Sequence, residues 1–303
     1  MARDIVVPGS VANLGGGFDT LAVAVQLYLR VRIVDVRSDA GARLVVRSSN
    51  PPVTGENAVE RAFAALAKQA MGPVPTVFAE VQSDIPMAAG LGSSAAATVA
   101  GLRVFEDVAG PVPQGTLLSV ASALEGHADN AAAALVGGLT SVIDGDARVL
   151  SWPWPDDLRL VVATPSGGLA TTKAREALAP SVSRQDAVFN LQRVLALIHA
   201  LQHREYERLR EALRDRWHQP MRASLVPHLD AVLALDDPEV LGACLSGAGP
   251  SVAVLALRDF DRVERLLRTT CEAAGSPVTV RTLAVHPSSS VARGAMASAH
   301  GRT

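Results

Sequence analysis

In MAAGLGSSAAATVAG, residues 87–101, two glycines and two serines stand directly before an alanine-rich run with helical spacing. The first turn of a helix carries unpaired backbone N–H groups and the positive end of the helix dipole, and glycine lets backbone approach a bulky group. The chemistry that suits this pattern is anion binding. Two further glycine loops, SVANLGGGFDT at 10–20 and CLSGAGPSVAVL at 244–255, lie among apolar segments with strand character. A plain hairpin rarely needs three small residues and a proline. Together the three loops suggest backbone wrapped closely around a ligand.

Rival readings of the 87–101 loop fail on context. GLGSSA formally fits the GxGxxG/A dinucleotide pattern, but SDIPMAA separates it from its strand and helix continues through Glu106 and Asp107, where a Rossmann unit needs a second strand. A Walker A loop needs a lysine after its last glycine, and none is present. On this loop alone, a tightly packed helix start remains open. In EGHADN, residues 125–130, Glu125 sits at the break of an otherwise apolar, alanine-rich stretch, where a carboxylate needs a reason. His127, Asp129 and Asn130 follow that break and offer hydrogen bonds to a small polar substrate, or a helix cap. His199 and His203 have i, i+4 spacing, but HALQH lacks a zinc protease's glutamate and reads as a solvated helix face.

The elements that must position these groups read as α+β. DIVV (4–7), LYLRVRIVDV (27–36), RLVVRSS and TVFAEVQS have strand patterning, and ENAVERAFAALAKQA reads as a helix starting near Glu56. Helices follow at SAAATVAGLRVFEDVA and at TLLSVASALEGHADNAAAALVGG, the latter broken at Gly126. DGDARVLSWPWPDD (144–157) looks like a hairpin and a crossing into a second unit. The boundaries expected are 1–150, 151–286 and a flexible tail, 287–303. The second unit alternates β, α, α, β, β, α, β, the pattern of a ferredoxin-like layer.

Composition narrows the class. The chain has 303 residues, 49% hydrophobic and 19% charged, with a net charge of −2. That is a globular composition with no electrostatic footprint for nucleic acid or an anionic membrane. Lys68 and Lys173 are its only lysines, so planar anion recognition falls to arginine. Cys244 and Cys271 lack zinc or disulfide-framework spacing, and the apolar start ends at Pro8 without forming a signal peptide. A cytoplasmic location is expected.

Pro86 followed by MAAGLGSSAAA resembles the phosphate-binding motif of the GHMP small-molecule kinases, and PGSVANLGGGFDT and SGAGPS resemble that family's first and third motifs. The resemblance spans residues 4–286 and implies a two-domain GHMP kinase fold with an N-terminal mixed α/β domain, a glycine-rich phosphate loop and a C-terminal ferredoxin-like domain. EGHADN, TTKAR at 171–175 and HQPMR at 218–222 are similar to the homoserine kinase branch. That branch implies transfer of the γ-phosphate of ATP, with Mg2+, to the hydroxyl of L-homoserine in threonine biosynthesis, and a homodimer as a possible assembly.

The resemblance also assigns residues. Asn57, Pro86, Gly90, Leu91, Gly92, Ser93, Ser94 and Ala95 are implied for the nucleotide, Asn57 near the adenine, and Ser94 and Glu125 for Mg2+. Asn13, Asp19, His127, Asn130, Thr171, Arg175, Arg222 and Gly247 are implied for the substrate. Asp19, Arg175 and Arg222 carry the catalytic assignment, with the arginines at positions for the substrate carboxylate and the transferring phosphate. Two proton routes stay open: Asp19 accepts the hydroxyl proton, or the proton leaves late with the phosphate. Gly16, Thr20, Ala128 and Met221 depart from the branch's usual proline, serine, proline and tyrosine. These departures spare the polar groups and bear on substrate identity only. The alternatives are a GHMP kinase for another small alcohol, mevalonate- or sugar-like, and a non-catalytic nucleotide-binding regulator.

Overall fold

The computed structural model describes residues 3–39, 41–143 and 147–288. Strands β1 (Arg3–Ala12), β2 (Leu21–Arg37) and β3 (Arg43–Asn50) lead to helix α1 (Ala58–Ala67) and β4 (Thr76–Ser83). Helices α2 (Ser93–Ala109), α3 (Gln114–Glu125) and α4 (Asp129–Val136) follow, then the hairpin of β5 (Leu139–Ile143) and β6 (Arg148–Trp152). The second half contains β7 (Arg159–Pro165), α5 (Thr171–Glu176), α6 (Arg184–His203), α7 (Leu209–Ala212), α8 (His218–Arg222) and α9 (Leu229–Leu233). It ends with β8 (Gly242–Leu245), β9 (Val252–Ala256), α10 (Phe260–Ala273) and β10 (Val278–Leu283).

β2 organises the first sheet. Along one edge it pairs antiparallel with β1, and along the other with β5 near its start and β4 near its end; β3 joins β4 in parallel. Its Arg30-Val31-Arg32-Ile33 stretch alternates exposed and buried, the period of a half-covered strand, whereas its opening LAVAV is buried throughout. β1 runs past Pro8 to Ala12, further than the DIVV pattern suggests, because the pairing register shifts between Pro8 and Gly9. A proline at such an irregularity on an edge strand costs no regular ladder bond. The first glycine loop is therefore only residues 13–20, held tightly between two strands.

The second sheet has the spatial order β10-β7-β9-β8, all antiparallel. Numbered within this unit the order is 4-1-3-2, the ferredoxin-like layer read from the β, α, α, β, β, α, β alternation. Its central strands β7 and β9 are buried on both faces. Leu160 and Val162 of β7 join the large core under the first sheet, while Val161 and Ala163 join a smaller core with α9 and α10. Each fully buried valine or leucine side chain here contributes roughly 1.5–3 kcal/mol. Leu197, Ala200 and Leu201 of α6 also enter the large core. The loops carrying the glycine motifs are thus anchored by shared packing from both halves.

No helix among the described residues is long and apolar enough to cross a membrane. Of the expected tail, Pro287 and buried Ser288 pack against Gly137 and Gly138, and residues 289–303 lie outside the described residues.

Candidate active site

The glycine loop enters α2 through Gly92, which has φ +70° and caps the helix without any side-chain hydrogen bond. The first backbone amide bonded back is that of Ala96, to the Gly92 carbonyl, so the preceding amides of the first turn remain available to an anion. No serine caps α2; the Ser94 hydroxyl donates to Glu125 instead. A Cβ at Gly92 would lie 2.2 Å from Ser10 Oγ, and one at Gly90 would lie 2.2 Å from the Ser246 carbonyl oxygen. Ser246 Oγ donates to the Gly90 carbonyl at 2.7 Å. The second and third glycine loops therefore lock against each other through bare backbone.

Glu125 is the last residue of α3, before Gly126 turns the chain with φ +79°. A carboxylate at a helix C-terminus opposes the dipole, so its placement requires compensation. Thr98 and Ser94 donate hydroxyl hydrogen bonds to Glu125 Oε1 at 2.6 and 3.0 Å, and Arg61 Nη2 lies 3.7 Å away. Oε2 has no donor among the described residues. Carboxylate and hydroxyl oxygens side by side are the donor set of a hard cation.

The first loop meets α5 and α8 at three charged groups. Arg175 donates to both oxygens of Asp19, Nη1 to Oδ2 at 3.0 Å and Nη2 to Oδ1 at 2.8 Å. Both guanidiniums, Arg175 and Arg222, stand over the Phe18 ring, at 5.7 and 5.2 Å from its centre. Arg222 is only 2% exposed. Its Nε donates to the Ala174 carbonyl, and Nη1 donates to the Gly247 carbonyl and to His218 Nδ1, leaving Nη2 without an acceptor among the described residues. Burial and then the neighbouring Arg175 push the Arg222 guanidinium down to a pKa of about 10. Asn13, buried with φ +74°, ties the loops together: its Nδ2 donates to the Gly247 carbonyl and its Oδ1 accepts from the Asp19 amide.

The opposite wall comes from the start of α4. Asp129 is 2% exposed; its Oδ1 faces His127 Nδ1 at 2.8 Å and accepts from the Asn130 amide at 2.8 Å. The Asp129 hydrogen bond raises the His127 pKa above the ordinary histidine value against the opposing effect of burial. Asp129 Oδ2 has no donor among the described residues. Asn130 also draws a 2.7 Å hydrogen bond from Ser10 Oγ, connecting this wall to β1.

These groups line one cavity of about 240 Å³. Of the residues singled out in the sequence, Asn13, Asp19, Gly90, Gly92, Ser93, Ser94, Ala95, Glu125, His127, Asn130, Thr171, Arg175, Arg222 and Gly247 border it. Asn57, Pro86 and Leu91 do not: Asn57 accepts from the Val59 amide as the N-cap of α1, and Leu91 turns its side chain into the core. His199 and His203 lie with ring centres 4.3 Å apart on α6, and no group of three or more His, Cys, Asp or Glu among the described residues could hold a metal.

Family models match both halves of the chain, GHMP kinases N terminal domain at residues 57–138 and GHMP kinases C terminal at residues 197–274. The chain is 38% identical over 265 residues to a homoserine kinase of Desulfitobacterium hafniense, covering 86% of this chain and 88% of that one. The chain belongs to the GHMP kinase family. A homoserine kinase of a Nostoc species is 35% identical over 292 residues, covering 93% of this chain and 95% of the relative. The crystal structure of homoserine kinase from Cytophaga hutchinsonii has the same fold, with a TM-score of 0.81 at 24% identity over 95% of this chain and 96% of that one.

In this GHMP kinase the structure adds residues that the motifs left aside. Phe18 lies in the first motif but reads as apolar filling; only the fold brings two arginines onto its face. Arg61 and Thr98 reach Glu125 from α1 and α2, at helical positions indistinguishable from ordinary surface and core. Asp129 was visible beside His127 and Asn130, but only the fold shows its carboxylate buried in that wall.

Proposed function

We propose that this GHMP kinase transfers the γ-phosphate of ATP to the hydroxyl of L-homoserine, giving ADP and O-phospho-L-homoserine. The observation that carries the substrate is the Asp129 carboxylate, 2% exposed with one unpaired oxygen, in the same cavity as Arg175 and Arg222. A zwitterionic amino acid satisfies both signs of charge, its ammonium at Asp129 and its carboxylate at Arg175. A neutral sugar, or a hydroxy acid without an ammonium, leaves the buried Oδ2 of Asp129 without a donor, which costs about 1–3 kcal/mol.

In the proposed mechanism the first-turn amides of α2, with Gly90 and Gly92, receive the phosphates, and Arg222 Nη2 meets an oxygen of the group in transfer. Positioning and charge stabilisation are what phosphoryl transfer requires of a protein. The hydroxyl oxygen forms a bond to the γ-phosphorus as the bond to the bridging oxygen of ADP breaks. Glu125 Oε2 and Ser94 Oγ would hold Mg2+, which when bound supplies charge neutralisation on the phosphates. Few protein ligands suit this ion, which usually takes one or two carboxylates together with substrate oxygens. Both oxygens of Asp19 are engaged by Arg175, an arrangement that favours departure of the hydroxyl proton with the phosphate and gives Asp19 the role of orienting Arg175. We place the reaction in the cytoplasm, where two buried free thiols are at home, in a homodimer, without nucleic acid or membrane.

The test is ADP release with Mg·ATP, comparing L-homoserine with L-serine, mevalonate and galactose for the native chain and for Asp129→Asn. Selective turnover of homoserine, lost on substitution, supports the reading. Turnover of another alcohol in preference retains the kinase and discards this substrate.

A further inference from the structure

We infer that His218 is a positioning residue that fixes Arg222 so that one nitrogen, Nη2, is delivered to the site. The inference rests on the reading above, in which Arg222 faces the group in transfer. His218 opens the single turn of α8 that Arg222 closes, so the two side chains lie four residues apart on one face. The imidazole has no solvent exposure and stacks on Phe18 at 5.3 Å between ring centres, inclined by 27°.

The partners of the ring determine its tautomer. Nε2 lies 2.8 Å from the Gly15 carbonyl oxygen, which can only accept, so Nε2 carries the hydrogen. Nδ1 lies 3.1 Å from Arg222 Nη1, which can only donate, so Nδ1 presents its lone pair. An imidazolium has no lone pair to offer and would set a second cation against the guanidinium. Burial, mainly, and Arg222 hold His218 neutral, against the pull of Asp215, whose Oδ2 is 3.6 Å from Nε2. Asp215 is itself fully buried and engaged by Asn190 Nδ2 and the Trp217 and Gln219 amides.

The geometry thus forms a relay of positions. Gly15 of the first loop holds the ring, the ring and the Gly247 carbonyl hold Nη1, the Ala174 carbonyl holds Nε, and Nη2 is left for an anion. A group held in this way needs no reorganisation when charge develops in front of it.

Two variants separate the two sides of the ring. In His218→Gln the amide nitrogen keeps the donor towards Gly15 but loses the acceptor for Arg222; in His218→Asn the amide oxygen stands near Nδ1 and keeps that acceptor. The expected result is a kcat about tenfold or more lower in the glutamine variant, with an unchanged KM for ATP, and substantial retention of kcat in the asparagine variant. In an Arg222→Ala background the glutamine substitution adds no further loss. Equal losses in both variants, or additive losses on Arg222→Ala, overturn the inference. Nitrogen-15 NMR of histidine-labelled whole enzyme supplies a second readout, independent of turnover and of whether the glutamine variant folds. A neutral Nε2–H tautomer for His218 is expected, and a charged or Nδ1–H ring overturns the inference. That tautomer together with no homoserine turnover discards only the proposed substrate.

Discussion

Asp19 and Arg175, separated by 156 positions in the chain, meet in a two-pronged ion pair of 3.0 and 2.8 Å at the mouth of the cavity. Both side chains are about one-third exposed, 36% and 37% respectively. Asp19 thus fixes the orientation of the guanidinium, whose remaining N–H groups stay open to a substrate carboxylate. Asp19→Asn and Arg175→Ala are each expected to raise the KM for homoserine about tenfold or more, with their effects less than additive when combined. Steady-state kinetics on the two single variants and the double variant check this. A kcat loss of about a hundredfold or more in Asp19→Asn, with an unaltered KM, would instead make Asp19 the general base.

Glu125 tests the nucleotide end. Glu125→Gln keeps an oxygen for the Ser94 and Thr98 hydroxyls but removes the charge, so the side chain remains packed while its cation affinity falls. The expected outcome is a kcat/KM lower by roughly a hundredfold, partly recovered at high Mg2+. A magnesium titration of ADP release measures it, and an unchanged magnesium dependence counts against the assignment.

Gly92 is constrained twice, by φ +70° and by a would-be Cβ contact of 2.2 Å with Ser10 Oγ. Gly92→Ala is expected to cost about 1–3 kcal/mol of stability, seen as a lower Tm, and to weaken ATP binding. Relative to Ser10→Ala alone, the double variant should recover the steric part and retain the cost of the left-handed backbone. Thermal melts and nucleotide titrations on the three variants resolve the two parts.

The two site histidines impose opposite pH dependences on stability. His127 has its folded pKa raised, chiefly by the Asp129 hydrogen bond, so its contribution is complete below the unfolded value of about 6.5 and disappears as pH rises through the folded pKa. The Tm advantage of the native chain over His127→Gln is expected to be largest near pH 6 or below and to shrink above it. His218 has its folded pKa lowered by burial, so the unfolded chain takes up a proton that the folded one refuses, and stability falls as pH drops below about 6.5. Melts of the native chain and His127→Gln across this window check the sign.

Much of this was legible locally. Strand alternation, the break at Gly126, the ferredoxin-like alternation of the second half and the glycine loops each depend on residues within a few positions of one another, where backbone sterics and side-chain period act directly. The polar groups of the cavity were named through short motifs that resemble those of the family, and the fold brings most of them to one cavity. Asn57 shows the limit: its side chain serves an amide two residues away, and no local pattern separates that cap from a ligand contact.

By itself the sequence determined which chemistry the chain can offer: bare backbone at a helix start, two arginines in place of lysine, and carboxylates where apolar residues would otherwise stand. Only the tertiary structure decided how those groups are spent. Asp19 is held by Arg175, Arg222 is reduced to one available nitrogen, and Phe18 becomes the floor beneath both guanidiniums. The reason is physical: local conformation follows from neighbouring residues, whereas burial and pairing of charge are settled by packing between segments far apart in the chain.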